Sequence, residues 1–437
     1  MRKKIINIIV YIGIVLFALA FIFIGNRIAS RDISIEFDDD FITAEAKIIE
    51  IVDISIEELN EWMSFTTITF EAVITRGNNR NEAVIATQQI LIDSVGYLDR
   101  EVMVGNRVIL TTHAIHGNQW FFSDFVRINQ IIILGAIFIA LLLIFGRFKG
   151  LNSILSLGFT CVAIFAVFIP SILSGKNIYL SSIIICAYTI IITLFILNGI
   201  NRKSLAAVGG CFGGIVAAGI LTLIMNNALL LTGVTSNESI QLTFLPTDNP
   251  VNLRAIIFAS IIIGATGAIM DVAVSISSAL SELKTQAPDL SFSMLYKSGI
   301  NIGRDIMGSM TNTLVLAYIG SSLTVILLLV VYTTSFTELF NREMVVVEIL
   351  QALIGSLGIL FTMPLTALIC AVLFSQKPKI KTVEENDAAP VVEPAVETIP
   401  SIPEDKPKPF KPALEDFFGE KAGWGHETNS KNKERTQ

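Results

Sequence analysis

Residues 255–280 read AIIFASIIIGATGAIMDVAVSISSAL, and Asp271 is the one ionisable residue in the stretch. At about 1.5 Å per residue a helix of this length spans roughly 39 Å, more than the ~30 Å hydrocarbon layer of a bilayer. A carboxylate near the middle of such a helix costs about 3 kcal/mol on insertion scales, so it is expected to have a partner or a task. The stretch therefore decides the class of the protein and points to where its chemistry lies.

Apolar blocks of similar character recur at 5–24, 131–145, 151–173, 178–197, 205–231, 306–332 and 349–374. The reading is an α-helical multi-pass membrane protein of about eight spans. Composition agrees: of 437 residues 52% are hydrophobic and 16% charged, and the mean hydropathy is +0.67. Soluble domains carry closer to a quarter charged residues. The net charge of −7 leaves no basic footprint for nucleic acid. All four cysteines (Cys161, Cys186, Cys211, Cys370) fall in apolar runs, so they read as packing residues, not as a disulfide framework or metal cluster.

Four parts follow from the composition. Residues 1–30 form an N-terminal membrane anchor that begins Met1-Arg2-Lys3-Lys4, and residues 128–374 form the polytopic helical domain. Between them, 31–127 alternates apolar and polar residues at 43–52, 65–75, 81–91, 106–113 and 120–126, with turns at 77–79, 105–106 and 117–118. That pattern predicts a small all-β domain, barrel- or sandwich-like, inserted after the first span. The tail, 375–437, is rich in Pro, Glu and Lys and is expected to be disordered and cytoplasmic; its LEDFFGEKAGWG (414–425) carries the aromatics.

Charge sets the orientation. One set of connections carries Arg147, Lys149, Arg202, Lys203, Lys284, Lys297 and Arg304, with Lys377, Lys379 and Lys381 after the last block. The opposite set carries Lys176, Arg254 and Arg342 against Glu238, Asp248, Glu338, Glu343 and Glu348. The positive-inside rule then puts both termini in the cytoplasm and the β-domain outside.

Asp271, Ser275, Ser278 and Glu282 share one helical face, and Arg304, Gly308, Thr311, Tyr318 and Ser322 share another, with Asn312 beside it. Helical rise places Asp271 and Asn312 at comparable depth, facing each other across a helix pair. Gly264, Gly267 and Gly308 read as helix-break or close-packing positions, a pattern used to hold Na⁺ or H⁺ at mid-membrane. The competing reading pairs Asp271 with Arg304, or hydrogen-bonds it to Asn312, for structure alone. Gly209, Gly210, Gly213 and Gly214 lack the lysine of a P-loop and read as helix packing. His113 and His116 would point to opposite sides of a strand, Gly355-Ser356-Leu357-Gly358 has no histidine base in any span, and Asp305 sits in Gly303-Arg304-Asp305 at the membrane edge. No metal, cofactor or catalytic set is read, and an intramembrane hydrolase is disfavoured.

GATGAIMDVAVSISSALSEL (264–283), followed by GRDIMGSMTNTLVLAYIGSSL (303–323), resembles the YibE/F family of bacterial multi-pass membrane proteins. GRFKGLNSILSL (146–157) and the Pro170–Gly175 break match its earlier helices, and the likeness runs from about Thr43 to Phe374. The resemblance implies a transporter-like protein of the cell membrane and brings no activity or ligand with it. This chain departs from it in its long tail.

The expected function is secondary transport or export of a small solute or ion. Asp271, Ser275, Ser278, Arg304, Asp305, Thr311, Asn312 and Thr313 would supply the site. The alternative is a non-transporting assembly or signalling protein of the envelope whose β-domain binds a partner. Expected partners are the lipid bilayer and a second copy or second membrane protein.

Overall fold

The computed structural model describes residues 2–31, 41–60, 63–76, 80–93, 96–97, 100–113, 119–245, 250–332 and 335–375. The readings of the tail beyond Ser375, of His116 and of the turns at 77–79 and 117–118 lie outside the described residues.

Helix α1 (Arg2–Ala29) precedes strands β1 (Phe41–Asn60), β2 (Met63–Arg76), β3 (Ala83–Asp93), β4 (Gly96–Tyr97), β5 (Arg107–His113) and β6 (Trp120–Phe125). Strand β1 pairs antiparallel with both β2 and β5, β2 with β3, and β5 with β6. A short parallel pairing of β3 with β6 closes the ring. Of the two β architectures expected, this is the barrel. Its closure depends on β1, whose register shifts at Ile48/Glu50 and Ile51/Asp53 are bulges that bend the strand. The residues up to Lys47 can thus pair with β5 while the strand continues along β2. The resulting connectivity is that of Greek-key OB-type barrels.

Alternation fills the barrel. Ala46, Ile48, Phe70, Ala72, Ile74, Ile90, Val108 and Leu110 are buried within it. Gln88, a long polar side chain in this interior, has its needs met: its Nε2 donates to Arg100 O at 2.9 Å and its Oε1 accepts from Val102 N at 2.9 Å.

The helical part consists of α2 (Ile128–Ala163), a π-helical turn (Ile164–Phe168), α3 (Ile169–Leu173), α4 (Ile178–Asn198), α5 (Arg202–Ala228), α6 (Asn237–Thr243), α7 (Leu253–Gln286), α8 (Phe292–Ser321), α9 (Leu323–Tyr332), α10 (Phe336–Asn341) and α11 (Glu343–Ser375). Helix starts are written in the sequence. Asn177, Asn201, Asn252 and Ser291 cap α4, α5, α7 and α8 by accepting from the backbone N–H three residues on. The first turn of α11 also closes a loop: the Glu343 carboxylate accepts from Thr232 N, Thr232 Oγ1 and Gly233 N at 2.6–2.8 Å.

Among the described residues six helices are long and apolar enough to cross a membrane, and the α8–α9 pair, bent by 63°, makes a seventh if taken as one. Eight separate runs were expected from the sequence. The difference lies at 128–173, where the runs at 131–145 and 151–173 belong to one helical stretch of 46 residues. That stretch would measure about 69 Å if straight, over twice the hydrocarbon thickness. It is not straight: Arg147 has φ 47 and ψ −128. A Cβ on Gly150 would collide with the carbonyl oxygen of Leu142, eight residues earlier, so the chain bends back sharply within GRFKG. The arm before Arg147 buries nothing, whereas Gly150, Ser156 and Ala163 after it are buried. The second arm joins α1 and α4 through Tyr11 Oη to Asn152 Oδ1 (3.1 Å) and Asn152 Nδ2 to Ile196 O (3.1 Å). Large apolar side chains cover the outside of these helices, including Ile131, Leu134, Ile144, Val216, Ile220 and Leu353. Water would not tolerate such a surface; lipid would.

Candidate functional site

Helix α7 runs through the bundle and buries one face completely. Ile262, Ala265, Ile269, Val272, Ala273, Ile276 and Leu280 are at most 0% exposed. The opposite face is different: Gly264, Gly267, Asp271 and Glu282 are exposed, with Ser275 and Ser278 half-buried between the last two. The spacing of Gly264, Gly267, Asp271, Ser275 and Ser278 keeps them on one stripe.

Helix α8 runs antiparallel beside α7. Gly264 lies opposite Tyr318 Oη, Ile276 opposite Gly303, and Leu280 opposite Gly299. Interpolating between these contacts puts Asp271 level with residues 308–311. The depth expected for its neighbours therefore holds, but the faces differ from the expectation. Helix α8 packs through Leu295, Gly299, Gly303, Met307, Met310 and Leu314. Arg304, Asp305, Asn312 and Thr313 are exposed, and Thr311, on the same side as Tyr318, is half-buried. Thr311 is thus the α8 residue of the expected set that the structure brings nearest in level and face to Asp271. Thr313 Oγ1 is occupied by its own helix, donating to Ser309 O at 2.9 Å.

One structural reading is corrected and one is narrowed. The Asp271–Arg304 ion pair does not form: the salt bridges of the described residues join Arg76 to Glu45, Arg127 to Asp124 and Arg342 to Glu338. Helices α7 and α8 also run unbroken through Gly264, Gly267 and Gly308. A Cβ on Gly264 would stand 2.7 Å from Tyr318 Oη, a close approach, whereas Gly267 and Gly308 have nothing within 4 Å. The interruptions are elsewhere, at Arg147, at the π-helical turn before Pro170, and at the α8–α9 bend.

Beside the Asp271 stripe the structure contains a cavity of about 290 Å³ that the sequence reading did not find. Gly267 and Met270 of α7 form part of its wall, and Ser156, Thr160, Cys186, Thr189, Thr193 and Thr266 supply polar groups from α2, α4 and α7. Thr266 Oγ1 bonds to Ile262 O (2.6 Å) and Thr160 Oγ1 to Ser156 O (3.0 Å), so both hydroxyls retain oxygen lone pairs. The signal in sequence was four residues of spacing, Ser156/Thr160 and Thr189/Thr193, but hydroxyls at that interval are common in apolar helices.

The fifth-span glycines have a different role. Cβ atoms on Gly210 and Gly214 would land on Thr366 Oγ1 and Thr362 Oγ1 of α11, and one on Gly209 would stand 2.8 Å from Ile369. They are packing positions, as read. Ser356 of the Gly-Ser-Leu-Gly stretch donates to Ala352 O at 2.7 Å inside α11. Among the described residues no group of three or more His, Cys, Asp or Glu is placed to hold a metal ion.

A family model described as YibE/F-like protein matches residues 134–376, more than half of the chain and all of both stripes. No curated protein and no solved structure matches it.

Proposed function

The chain belongs to the YibE/F family, and we propose that it is an integral membrane protein that moves a small solute or ion across the bilayer, with Asp271 as the carboxylate that binds a cation or proton. One observation carries the reading: Asp271 is exposed on the open face of α7 and takes part in no ion pair among the described residues. A carboxylate in an apolar span costs several kcal/mol unless something offsets it. The described residues supply no such ion pair, and in this reading the offset is water, an ion or the transported species. The neighbouring hydroxyls of the Ser156–Thr266 cavity, with Ser275, Ser278 and Thr311, are neutral oxygen ligands suited to a partly dehydrated cation.

In this reading the two arms of 128–173 and the bent α8–α9 pair each cross, giving eight spans. Both termini are then cytoplasmic and the barrel lies outside, in the cell membrane. Cysteine labelling of Arg80→Cys, an exposed barrel position, checks the orientation; a site reachable only after permeabilisation reverses it.

Flux of ions or solutes in proteoliposomes, alongside complementation of a deletion strain, tests the function. Asp271→Asn is expected to abolish both while the protein still folds, since only the carboxylate can change charge. A fully active Asp271→Asn would remove the basis of the proposal.

The second reading, an envelope assembly or signalling protein, draws on the barrel having its own hydrophobic core. Deleting residues 41–125 separates the two: complementation survives the deletion if transport is the function and is lost if the barrel recruits a partner.

A further inference from the structure

A second polar cavity, of about 450 Å³, lies where α5 begins and α7 and α11 end. Arg202 and Lys203 enter it from the first turn of α5, Ser281 and Lys284 from the last turns of α7, and Phe374 of α11 forms an apolar wall. Three cations thus converge from two helices, and none of them belongs to an ion pair of the described residues. Glu282, the carboxylate next to Ser281 in sequence, is exposed and accepts instead from Gln286 Nε2 at 3.2 Å.

Two of the cations are held in place by carbonyls. Arg202 Nη1 donates to Leu373 O at 3.2 Å, and Lys284 Nζ donates to Pro288 O at 2.6 Å and Leu290 O at 3.0 Å. Capping of this kind orients a charge without neutralising it. The guanidinium keeps four further N–H donors and the ammonium one. Lys203, half-buried, has no side-chain hydrogen bond among the described residues that would divert it.

A guanidinium, two ammonium groups and a serine hydroxyl around a concavity fit the phosphate of an anionic headgroup. Apolar spans end near a bilayer's headgroup layer, and this cavity lies at the ends of three such helices. Leu205 of α5 and Val372 of α11, two residues from Lys203 and Phe374, are exposed and offer acyl chains apolar surface. We propose that this pocket binds the phosphate of an anionic phospholipid and so fixes the bundle end in the headgroup layer. The inference does not rest on transport or on Asp271.

The test is the thermal stability of the purified full-length protein in neutral detergent, titrated with phosphatidylglycerol, phosphatidylcholine, or inorganic phosphate. Phosphatidylglycerol is expected to raise the melting temperature saturably, with phosphatidylcholine much weaker. Stabilisation by inorganic phosphate to the same extent would identify a free anion as the ligand and overturn the lipid assignment. Lys203→Glu is the discriminating variant because that side chain caps nothing; it should raise the half-saturating lipid concentration about tenfold. Equal stabilisation by phosphatidylcholine and phosphatidylglycerol, no stabilisation by any of the three, or an unchanged half-saturation in Lys203→Glu overturns the proposal.

Discussion

Helices α5 and α7 both carry glycines on one face, and the two faces meet opposite fates. The α5 face, Gly209-Gly210 and Gly213-Gly214, is closed by α11 so tightly that threonine oxygens occupy the space of the missing Cβ atoms. The α7 face, Gly264 and Gly267 followed by Asp271, is left open apart from the Tyr318 hydroxyl. The same residue type removes bulk in both places. On α5 the removed bulk lets two helices approach, which is how small residues act between apolar helices. On α7 it leaves room beside a carboxylate.

The contrast can be broken most severely at α5. Gly214→Val would put its Cβ on Thr362 Oγ1 and within 3.0 Å of Gly358 O. Overpacking against backbone is expected to cost about 3 kcal/mol and to lower the melting temperature in detergent by many degrees. An unchanged melting temperature would mean that α5 and α11 are not in this contact.

Asp271→Asn comes next, with the opposite profile. Lacking an ion pair, it should change stability by less than about 1 kcal/mol while abolishing activity. Adding Arg304→Gln should restore nothing. If Asp271→Asn instead melts much lower and Arg304→Gln recovers the loss, the two residues are paired and the open-face description fails.

At Gly264 the expected effect is smaller. Its Cβ would meet only the end of the Tyr318 side chain, so Gly264→Ala should cost about 1 kcal/mol. Tyr318→Phe should relieve it, because the next atom, Cζ, lies 3.9 Å away. A cost that persists in the double variant would place the clash elsewhere.

Gly267→Ala should be the mildest of all for folding. Nothing lies within 4 Å, and alanine gains up to about 1 kcal/mol of helix propensity over glycine. Stability should hold or rise slightly in a thermal melt. A simultaneous fall in flux would show that the space above Gly267 is in use, whereas unchanged flux would confine the active part of the stripe to Asp271 and the serines.

Much of this architecture follows from the sequence by itself. Long apolar blocks mark the helices, because an element with no polar face has to be surrounded by lipid or by its own kind. Alternation at 65–75 and 106–113 marks strands because a pleated strand sends successive side chains to opposite faces. Asn177, Asn201 and Asn252 mark helix starts because their side chains satisfy orphan amides. Asp271 stands out because its cost in an apolar span is large whatever surrounds it. These are local properties, and local properties survive into the fold.

Tertiary structure alone decided what those elements face. The β1 bulges made a barrel of a sheet that alternation left undecided between barrel and sandwich. The reversal at Arg147 joined two apolar runs into one bent stretch. Helical periodicity put Asn312 beside Thr311, yet only the packing of α8 through Gly299 and Gly303 left Asn312 exposed and Thr311, on the Tyr318 side, half-buried. The Ser156–Thr266 cavity and the Arg202–Lys284 pocket gather residues from different helices far apart in the chain. Periodicity places a residue on its own helix; which neighbour covers that face depends on how the other helices pack, and no single helix encodes that.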